Sequence, residues 1–312
     1  MSRSYYGYVS ATAGQNETIN KTYLGYVSSQ ATGVRFGFSS DGATGAFTTT
    51  DLDGYRYLVF TGNGTMSVDN AGEAQVMVVG GGGGGGGGTP QNVGTGGGGG
   101  GGIRLGAGNT YYNLNFGVGT STITVGNGGA GTSTSIGSKG GTSSITHADG
   151  TLSATGGGAG FTSVPGNGGS GGGGGDGVTY GTGNEGGYSP AEGQNGAASG
   201  TNSKGGGGGY SAAAVNQNGG EGLDVSTLDA NLDTILGATH VVISSGGGAA
   251  ANCNNGGTQS VGGTGAGAGG YSGNGGNATS YGSGGGGAAG CFNNTRTGGS
   301  GMSGIVVIRW SL

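Results

Sequence analysis

Residues 80–102 read GGGGGGGGGTPQNVGTGGGGGGG: a run of consecutive glycines, a short insert and a second run. Across the whole chain, 93 of 312 residues are glycine. Because glycine has no Cβ, such runs carry no side-chain chemistry and only backbone geometry can explain them. The stretch therefore indicates a fold in which packed main chain takes the place of side chains.

Two familiar explanations for so much glycine fit this chain poorly. Collagen needs glycine at every third position and abundant proline, whereas this sequence has 3 Pro and no such phase. Disorder is favoured by the low hydrophobic content of 31%. Disordered chains of that kind usually carry many charges, however, and the net charge here is only −5. We therefore expect an ordered fold that is not collagen.

The remaining solution is a set of extended glycine helices packed side by side. A polyglycine II helix has three residues per turn and no internal hydrogen bonds, so its N–H and C=O groups must bond to neighbouring segments. The missing Cβ atoms let such backbones approach closely. The sequence thus predicts a mainly β or irregular class: a polyglycine II helix bundle, or glycine-rich sandwich, with a small antiparallel sheet formed by residues 55–79 and the C-terminal strand.

Three units are predicted along the chain. Residues 1–50 contain the near-repeats Tyr6–Ser10 and Leu24–Ser28, and we interpret them as an attachment or oligomerisation module, with a loosely packed leader as an equal alternative. Residues 51–79 form a β-strand module completed by 304–312. Residues 80–303 form the bundle, in which variable tip loops separate the glycine tracts 80–88, 96–102, 156–158, 171–175, 205–209, 246–248 and 284–287.

The sheet is predicted from apolar runs and turn residues. Tyr55–Phe60 leads through Gly62-Asn63-Gly64 into a second strand, and the chain returns as Gln75–Val79, which makes three antiparallel strands. The apolar run Ile305–Trp310 is expected to pair with the 75–79 strand.

Further elements are predicted inside the bundle. Two inserts read as strands, 121–125 and 240–243. A short helix is expected near 226–236, with Ser226 as its cap, a shared apolar face and Gly237 as its stop.

The charge and hydrophobicity of the chain make nucleic-acid binding and membrane insertion unexpected. The sequence pI is about 4.8 and no basic cluster occurs, so nucleic acid is not expected as a partner. No apolar run approaches the length of a membrane span, and the first ten residues lack the apolar region of a signal peptide. We expect synthesis in a host cytoplasm, use elsewhere and no membrane insertion.

The order of these motifs resembles a known family. The strand 55–60, the strand 75–79 running into polyglycine, the segments Thr122–Gly129 and Ala154–Gly158, and the terminal Gly304–Arg309 strand resemble glycine-rich tail-fibre-like proteins of bacteriophages, especially marine and cyanobacterial phages. The resemblance covers about 55–310. Glycine tracts that alternate with variable inserts are also similar, more loosely, to the polyglycine II receptor-binding adhesins of T-even-type phages.

The two resemblances imply a function in the virion. The first implies a structural protein of the tail, located in the virion after assembly in the host cytoplasm. The second implies recognition of a host surface receptor, protein or glycan, by the inserts. The expected partners are other virion tail proteins and copies of the same chain, for example as a trimer. The alternatives are a purely structural virion protein, such as a head fibre, knob or capsid decoration, and a secreted ice-binding or matrix protein.

Tyr, Ser, Gly, Asn and Thr dominate the inserts, as they dominate antibody binding loops. Since glycine helices offer no pockets for large rings, some aromatic residues are expected at the ends or surface of the bundle. Alternatively, the rings cover glycine faces or fill interfaces between protomers. The receptor-binding candidates are Tyr180, Tyr188, Tyr210, Tyr271, Tyr281 and Phe292.

Both cysteines, Cys253 and Cys291, follow a glycine tract in matching register. A disulfide between two tip loops is one expectation, and two free thiols made in a reducing cytosol are the other.

No enzymatic or metal chemistry is expected. His147 and His240 have no partners at metal or triad spacing, and Asp51–Gly54 starts like a calcium loop but lacks the later ligands. The carboxylates near the predicted helix are interpreted as a solvated acidic face: Glu221, Asp224, Asp229 and Asp233. The sequence thus predicts neither a catalytic site nor a cofactor.

Overall fold

The computed structural model describes residues 40, 42–88, 94–148, 150–161, 166–175, 179–199, 204–251, 259–271, 273–290 and 294–312. In this part of the chain the regular elements are mostly β-strands. The strands are β1 (Gly42–Leu52), β2 (Tyr55–Val68), β3 (Gly72–Val79), β4 (Ile103–Arg104), β5 (Tyr112–Phe116), β6 (Gly119–Thr124), β7 (Ser143–His147), β8 (Gly150–Ala154), β9 (Leu223–Asp224), β10 (Val242–Ile243) and β11 (Ile305–Ser311). Among the residues just given, helical structure is confined to α1 (Asn231–Leu236) and three 3₁₀ turns (Ala107–Asn109, Val225–Thr227 and Ala238–His240).

The described strands form one nine-stranded antiparallel sheet and the small pair β9–β10. The main path runs β4-β3-β11-β2-β6-β7-β8, with β1 added to β2 and β5 added to β3. The predicted pairing of the C-terminal strand is confirmed, because Ile305 of β11 lies opposite Val79 of β3. The sheet is larger than the small one expected, since inserts of the glycine-rich region contribute β4 to β8.

The predicted turn at Gly62-Asn63-Gly64 is wrong. β2 continues through it as one strand that changes partner, pairing with β11 up to Phe60 and with β6 from Gly64. The side chain of Asn63 stabilises this corner by accepting a hydrogen bond from the N–H of Val125 at 2.9 Å. The expected three antiparallel strands are therefore only two, because 55–68 is one strand, and β11 lies between it and β3.

β1 follows β2 round the same corner. Its register shifts between Gly45 and Phe47, where Gly45 has a φ of 98° that favours glycine. This strand crosses the boundary drawn at residue 50 from the sequence. The proposed role of 1–50 concerns residues most of which lie outside the described part of the chain, and it stays a prediction.

The corner folds the sheet over itself and encloses a hydrophobic core. One half contributes Leu58, Phe60, Val76, Val78, Val306 and Ile308, and the other contributes Met66, Ile123, Ile145 and Leu152. At the glycine end the halves come together, since the N–H of Gly102 donates to the carbonyl of Thr155 at 2.7 Å. Packed side chains thus hold the two halves of this sandwich together.

A second core covers the outer face of β3, β11 and the first half of β2. Tyr57, Val59, Met77 and Val307 pack there against residues of the 223–243 insert, including Leu223, Leu232 and Ile243. The predicted helix is real but shorter, and Gly237 follows it as expected. Ser226 is not its cap: Asp224 caps the preceding 3₁₀ turn by accepting from the N–H of Ser226 at 3.0 Å.

The predicted 240–243 strand is only half correct. His240 belongs to a 3₁₀ turn, and β10 begins at Val242.

The seven glycine tracts are buried along their whole length. In the tract 80–88, the N–H groups of Gly80, Gly83 and Gly86 donate to the carbonyls of Gly102, Gly99 and Gly96. The next residues of each triplet bond elsewhere: Gly81 and Gly84 donate to Gly141 and Ser138, and Gly82 and Gly85 donate to Met302 and Gly299. Every third residue thus faces the same neighbour.

The tract 80–88 also accepts hydrogen bonds from three further directions. The N–H groups of Gly157, Gly129 and Gly285 donate to the carbonyls of Gly81, Gly82 and Gly83, at 2.8 to 2.9 Å. The tract is therefore surrounded by backbone on every side.

Packing between tracts leaves no room for a methyl group. A Cβ built on Gly81 would lie 2.1 Å from the carbonyl oxygen of Asn127, and one on Gly84 would lie 2.1 Å from that of Ala130. Real Cβ atoms essentially never approach this closely, and the obstacle is backbone. Close approach therefore requires glycine in these tracts.

Candidate functional site

The glycine tracts have two ends that differ in their surroundings. At the proximal end they join the sheet, as where Val79 of β3 leads into Gly80 and Gly102 leads into β4. The distal end, near Gly88 and Gly96, lies at the opposite end of the same segments, because 80–88 and 96–102 run antiparallel. Turns at the distal end are held by the tracts and make the first candidate surface.

Large apolar side chains are exposed on these distal turns. Ile136 is 41% exposed in a turn anchored by the N–H of Gly87, which donates to the carbonyl of Thr134 at 2.6 Å. Val215 is 68% exposed beside Asn216, whose carbonyl accepts from Gly206. Val261 is 64% exposed, and its own carbonyl accepts from Gly219.

Ile136, Tyr180, Val215 and Val261 lie on four separate segments, and we call this set of exposed side chains the distal patch. The receptor-binding candidates predicted from the sequence are all aromatic, so Ile136, Val215 and Val261 are not among them. A sequence signal for such exposed residues is a single aliphatic residue among polar or small residues, as in Ser260-Val261-Gly262.

Two of the predicted tyrosines lie towards the distal end. Tyr180 is 40% exposed and precedes Gly181, whose N–H donates to Gly172 at 2.9 Å. Tyr271 is half-buried and follows Gly270, which donates to Gly287 at 2.8 Å. These two positions suit the expectation that aromatic residues lie where the tracts end.

Three other predicted tyrosines pack against the body of the molecule. Tyr210 is only 7% exposed, belongs to the second core and donates its hydroxyl hydrogen to Asn109 Oδ1 at 2.9 Å. Tyr281 stacks on His240 with ring centroids 4.1 Å apart. The hydroxyl of Tyr188 hydrogen-bonds Ser153 Oγ at 3.0 Å. Tyr210 therefore offers almost no surface to a receptor, because its ring fills the core.

Phe292, Cys253 and Cys291 lie outside the described residues. The residues that lead to the cysteine segments are described, and Ala250 and Ala289 pack against each other with 0% exposure. The described segments that end at 251 and 290 are therefore adjacent at these two alanines.

A buried polar cluster ties the 223–243 insert to the sheet at the proximal end. Asp229 pairs with Arg309, and the same carboxylate oxygen accepts from the hydroxyls of Tyr57 at 2.8 Å and Tyr111 at 3.0 Å. The Arg309 guanidinium also lies 4.5 Å from the ring centroid of Tyr55. We call these residues the junction cluster.

The junction cluster corrects the expectation of a solvated acidic face for Asp229, whereas Glu221 and Asp224 are exposed as expected and Asp233 is half-buried. Only 6% of the Asp229 side chain is exposed. Burial, reinforced by the Asp229 charge, raises the pKa of Tyr111 far above its usual range. Burial would by itself lower the pKa of Arg309, but the hydrogen bond to Tyr57 and the neighbouring charges raise it. The cluster links the 223–243 insert to the sheet through hydrogen bonds and an ion pair.

The described residues contain no group of three or more His, Cys, Asp or Glu side chains placed to hold a metal ion. His147 instead lies beside Phe116, with ring centroids 5.3 Å apart, and burial lowers the pKa of His240. Within the same described ranges, no helix combines the length and apolarity needed to cross a membrane.

Comparison with known families identifies a match for most of the chain. A family model described as a glycine-rich domain matches residues 59–311, which runs from within β2 to the end of β11 and includes every glycine tract. The matched region thus unites the sheet and the tracts. Among curated proteins, nothing matches the chain.

Proposed function

This chain belongs to the glycine-rich domain family, and we propose that its glycine tracts form a polyglycine II helix bundle that serves as a rigid scaffold. The support is the three-residue repeat of the hydrogen bonds made by the tract 80–88. Three residues per turn is the repeat of the extended polyproline II-type helix, whose bonds must all go to neighbours. A strand would alternate between two sides instead.

We propose that the scaffold presents its distal patch to a host cell surface, as a receptor-binding adhesin or fibre component of a bacteriophage tail. The observation that carries this proposal is the exposure of Ile136, Tyr180, Val215 and Val261 on turns held by buried backbone. Such turns lose little conformational entropy on binding, and repeated copies on a virion would add avidity. The resemblance to phage tail-fibre-like proteins supplies the biological setting.

In this proposal the protein acts in the virion after assembly in the host cytoplasm. Its partners are other tail proteins, further copies of the chain and a receptor that is a protein or a glycan. No catalysis and no cofactor are part of the mechanism, which consists of presenting a rigid surface.

A purely structural role in the virion is the second candidate. The observation that favours it is the inward packing of Tyr188, Tyr210 and Tyr281, which makes these rings part of the body of the protein. A head fibre, knob or capsid decoration would need such packing and no receptor surface.

Binding to whole cells tests the first candidate against the second. Fluorescently labelled chain is mixed with a panel of bacterial strains that includes cyanobacteria, and bound protein is measured by flow cytometry. The test variant replaces all four residues of the distal patch with serine. The matched control replaces Val118, which is 66% exposed in the loop between β5 and β6, with serine.

We expect the wild type and the control to bind one or more strains and the distal variant to lose at least about tenfold in affinity. If the distal variant binds as well as the control, the patch is not the receptor surface. If no strain captures the wild type, the purely structural role is favoured.

A further inference from the structure

The sandwich has an open side that forms a groove. The groove has a volume of about 340 Å³ and lies between β5 and the β7–β8 hairpin, where Tyr112, Asn113, Asn115, His147 and Thr151 line it. It is thus bordered by both apolar and hydrogen-bonding side chains. It lies on the sheet, away from the distal patch.

Both walls of the groove are edge strands. In the part of the chain that the structure describes, β5 pairs only with β3, and β8 pairs only with β7. An edge strand presents backbone donors and acceptors that an added extended chain can satisfy, and this strand addition is a common mode of peptide recognition. The groove therefore has the geometry to accept an extended peptide.

A buried arginine lies next to the groove. Arg104 of β4 is opposite Val78 of β3, and Tyr112 of the groove is opposite Val76. Because side chains alternate along a strand, these two positions share the inner face of the sheet, with backbones roughly 7 Å apart. A group carried by a peptide beside Tyr112 would be close to Arg104.

Arg104 has no anionic partner among the described residues. It is 9% exposed, its guanidinium carbon lies 3.6 Å from the ring centroid of Tyr188, and its Nε is buried without an acceptor. The nearby buried carboxylate of Glu192 is already engaged by the backbone N–H groups of Thr155 at 2.8 Å and Gly186 at 3.2 Å.

An unpaired buried guanidinium is costly, and a carboxylate is the partner that fits it. Stacking on Tyr188 uses the face of the guanidinium and leaves the in-plane N–H groups available, which is the arrangement that pairs with carboxylates. A partner carboxylate would supply the acceptor that the buried Nε of Arg104 lacks among the described residues.

We propose that the β5–β8 groove binds an extended, acidic peptide segment of a partner protein, whose carboxylate pairs with Arg104. The peptide would add main-chain hydrogen bonds to the edge of β5 or β8, while Arg104 would select for the charge. This site would join the chain to another protein at the sheet, independently of what the distal patch contacts.

Synthetic peptides test the proposal on the full chain. The probe is a blocked hexapeptide of alternating valine and threonine in which one position, varied in turn, is aspartate. Its match carries asparagine instead, and a third version has a free C-terminal carboxylate and no aspartate. Affinities are measured by calorimetry for the wild type, Arg104→Gln and Arg104→Lys. Arg56→Gln is the control, because Arg56 is a more exposed arginine on the same sheet, paired with Asp51.

We expect the best aspartate peptide, or the free-carboxylate version, to bind the wild type at least about tenfold more tightly than the asparagine peptide. Arg104→Gln should remove this preference, Arg104→Lys should keep part of it, and Arg56→Gln should leave it intact. The two charged probes distinguish a side-chain carboxylate from a C-terminal one. Binding should also slow hydrogen exchange of the amides in Tyr112–Phe116 or Gly150–Ala154.

Equal affinity for charged and uncharged peptides, or no binding of any, overturns the proposal even if Arg104→Gln fails to fold. Oligoglucuronate serves as a carboxylate without a peptide backbone, and Arg104-dependent binding of it alone would replace the peptide with an acidic glycan. The serine variant of the distal patch should bind the peptide like the wild type, so failure here and failure of the receptor proposal are distinguishable.

Discussion

The sandwich and the glycine tracts bury their chain in opposite ways. In the sandwich, Phe60, Ile123 and Val306 fill the interior with side chains while their backbones pair along strands. In the tracts, peptide groups themselves are the interior, and each donor of 80–87 finds a carbonyl at 2.6 to 3.3 Å. The sandwich excludes water by burying apolar side chains, and the tract 80–88 does so by packing backbones closely while its N–H groups bond to neighbouring carbonyls.

This difference predicts different tolerance to substitution. A side-chain core accepts changes of shape when volume is roughly kept, because neighbouring rotamers adjust. A carbonyl oxygen 2 Å from where a Cβ would stand has no rotamer to change, so a whole tract would have to move. A substitution that adds a Cβ to a tract should therefore abolish folding, whereas a substitution in the sandwich core should lower the free energy of unfolding in proportion to the volume changed.

Adding one methyl group to a tract should have the largest effect. In Gly101→Ala, the new Cβ would lie 2.0 Å from the carbonyl oxygen of Gly80. We expect loss of the folded state, or a drop in the free energy of unfolding beyond about 4 kcal/mol. Chemical denaturation followed by circular dichroism measures it.

Gly273→Ala is the matched control, since nothing lies within 4 Å of its Cβ position. We expect its free energy of unfolding to change by no more than about 0.5 kcal/mol. If Gly101→Ala and Gly273→Ala unfold at similar denaturant concentrations, the tracts are not close-packed as described.

Removing a large side chain from the sandwich should cost less and should be graded. Phe60 is fully buried, so Phe60→Ala should lower the free energy of unfolding by about 3 to 5 kcal/mol, while Phe60→Leu should cost clearly less. Both variants are measured by denaturation, with hydrogen exchange of the tract amides as a second observable. An all-or-none loss of folding for Phe60→Leu would show that the sandwich is no more tolerant of substitution than the tracts.

The same contrast explains what could be predicted from the sequence. The burial of the tracts and the pairing of Ile305 with Val79 follow from local patterns, a glycine run and an apolar run. The corner at Asn63 was not predictable, because Gly62-Asn63-Gly64 is typical of a tight turn and only the partners β11 and β6 reveal a strand that bends.

Contacts distant in sequence account for the other errors. Asp229 looked solvated among its acidic neighbours, and its partner Arg309 is 80 residues away. The aromatic candidates divide for a similar reason: Tyr180 is exposed at a distal turn, whereas Tyr210 fills a core that forms only when the insert folds onto the sheet. Composition indicates which residues suit recognition, but it does not show which of them the fold buries.

The smallest predicted effect is a loss of stability at alkaline pH, which should depend on Tyr111 of the junction cluster and not on glycine. The pKa of Tyr111 is raised above its ordinary value of 10.0, first by burial and then by the Asp229 charge. A raised pKa contributes stability that is fully present below the ordinary value and is lost as pH rises towards the folded one. The stability of the wild type should therefore fall from about pH 10 upwards.

In Tyr111→Phe the fall should be shallower, and the loss of one hydrogen bond should lower the free energy of unfolding by about 1 kcal/mol at neutral pH. Thermal unfolding at pH 8, 10 and 11 measures both, and parallel curves for the two proteins would mean that the junction cluster does not set the alkaline limit. Gly273 carries no titratable side chain and has nothing within 4 Å of its Cβ position, so Gly273→Ala should follow the wild-type curve at every pH.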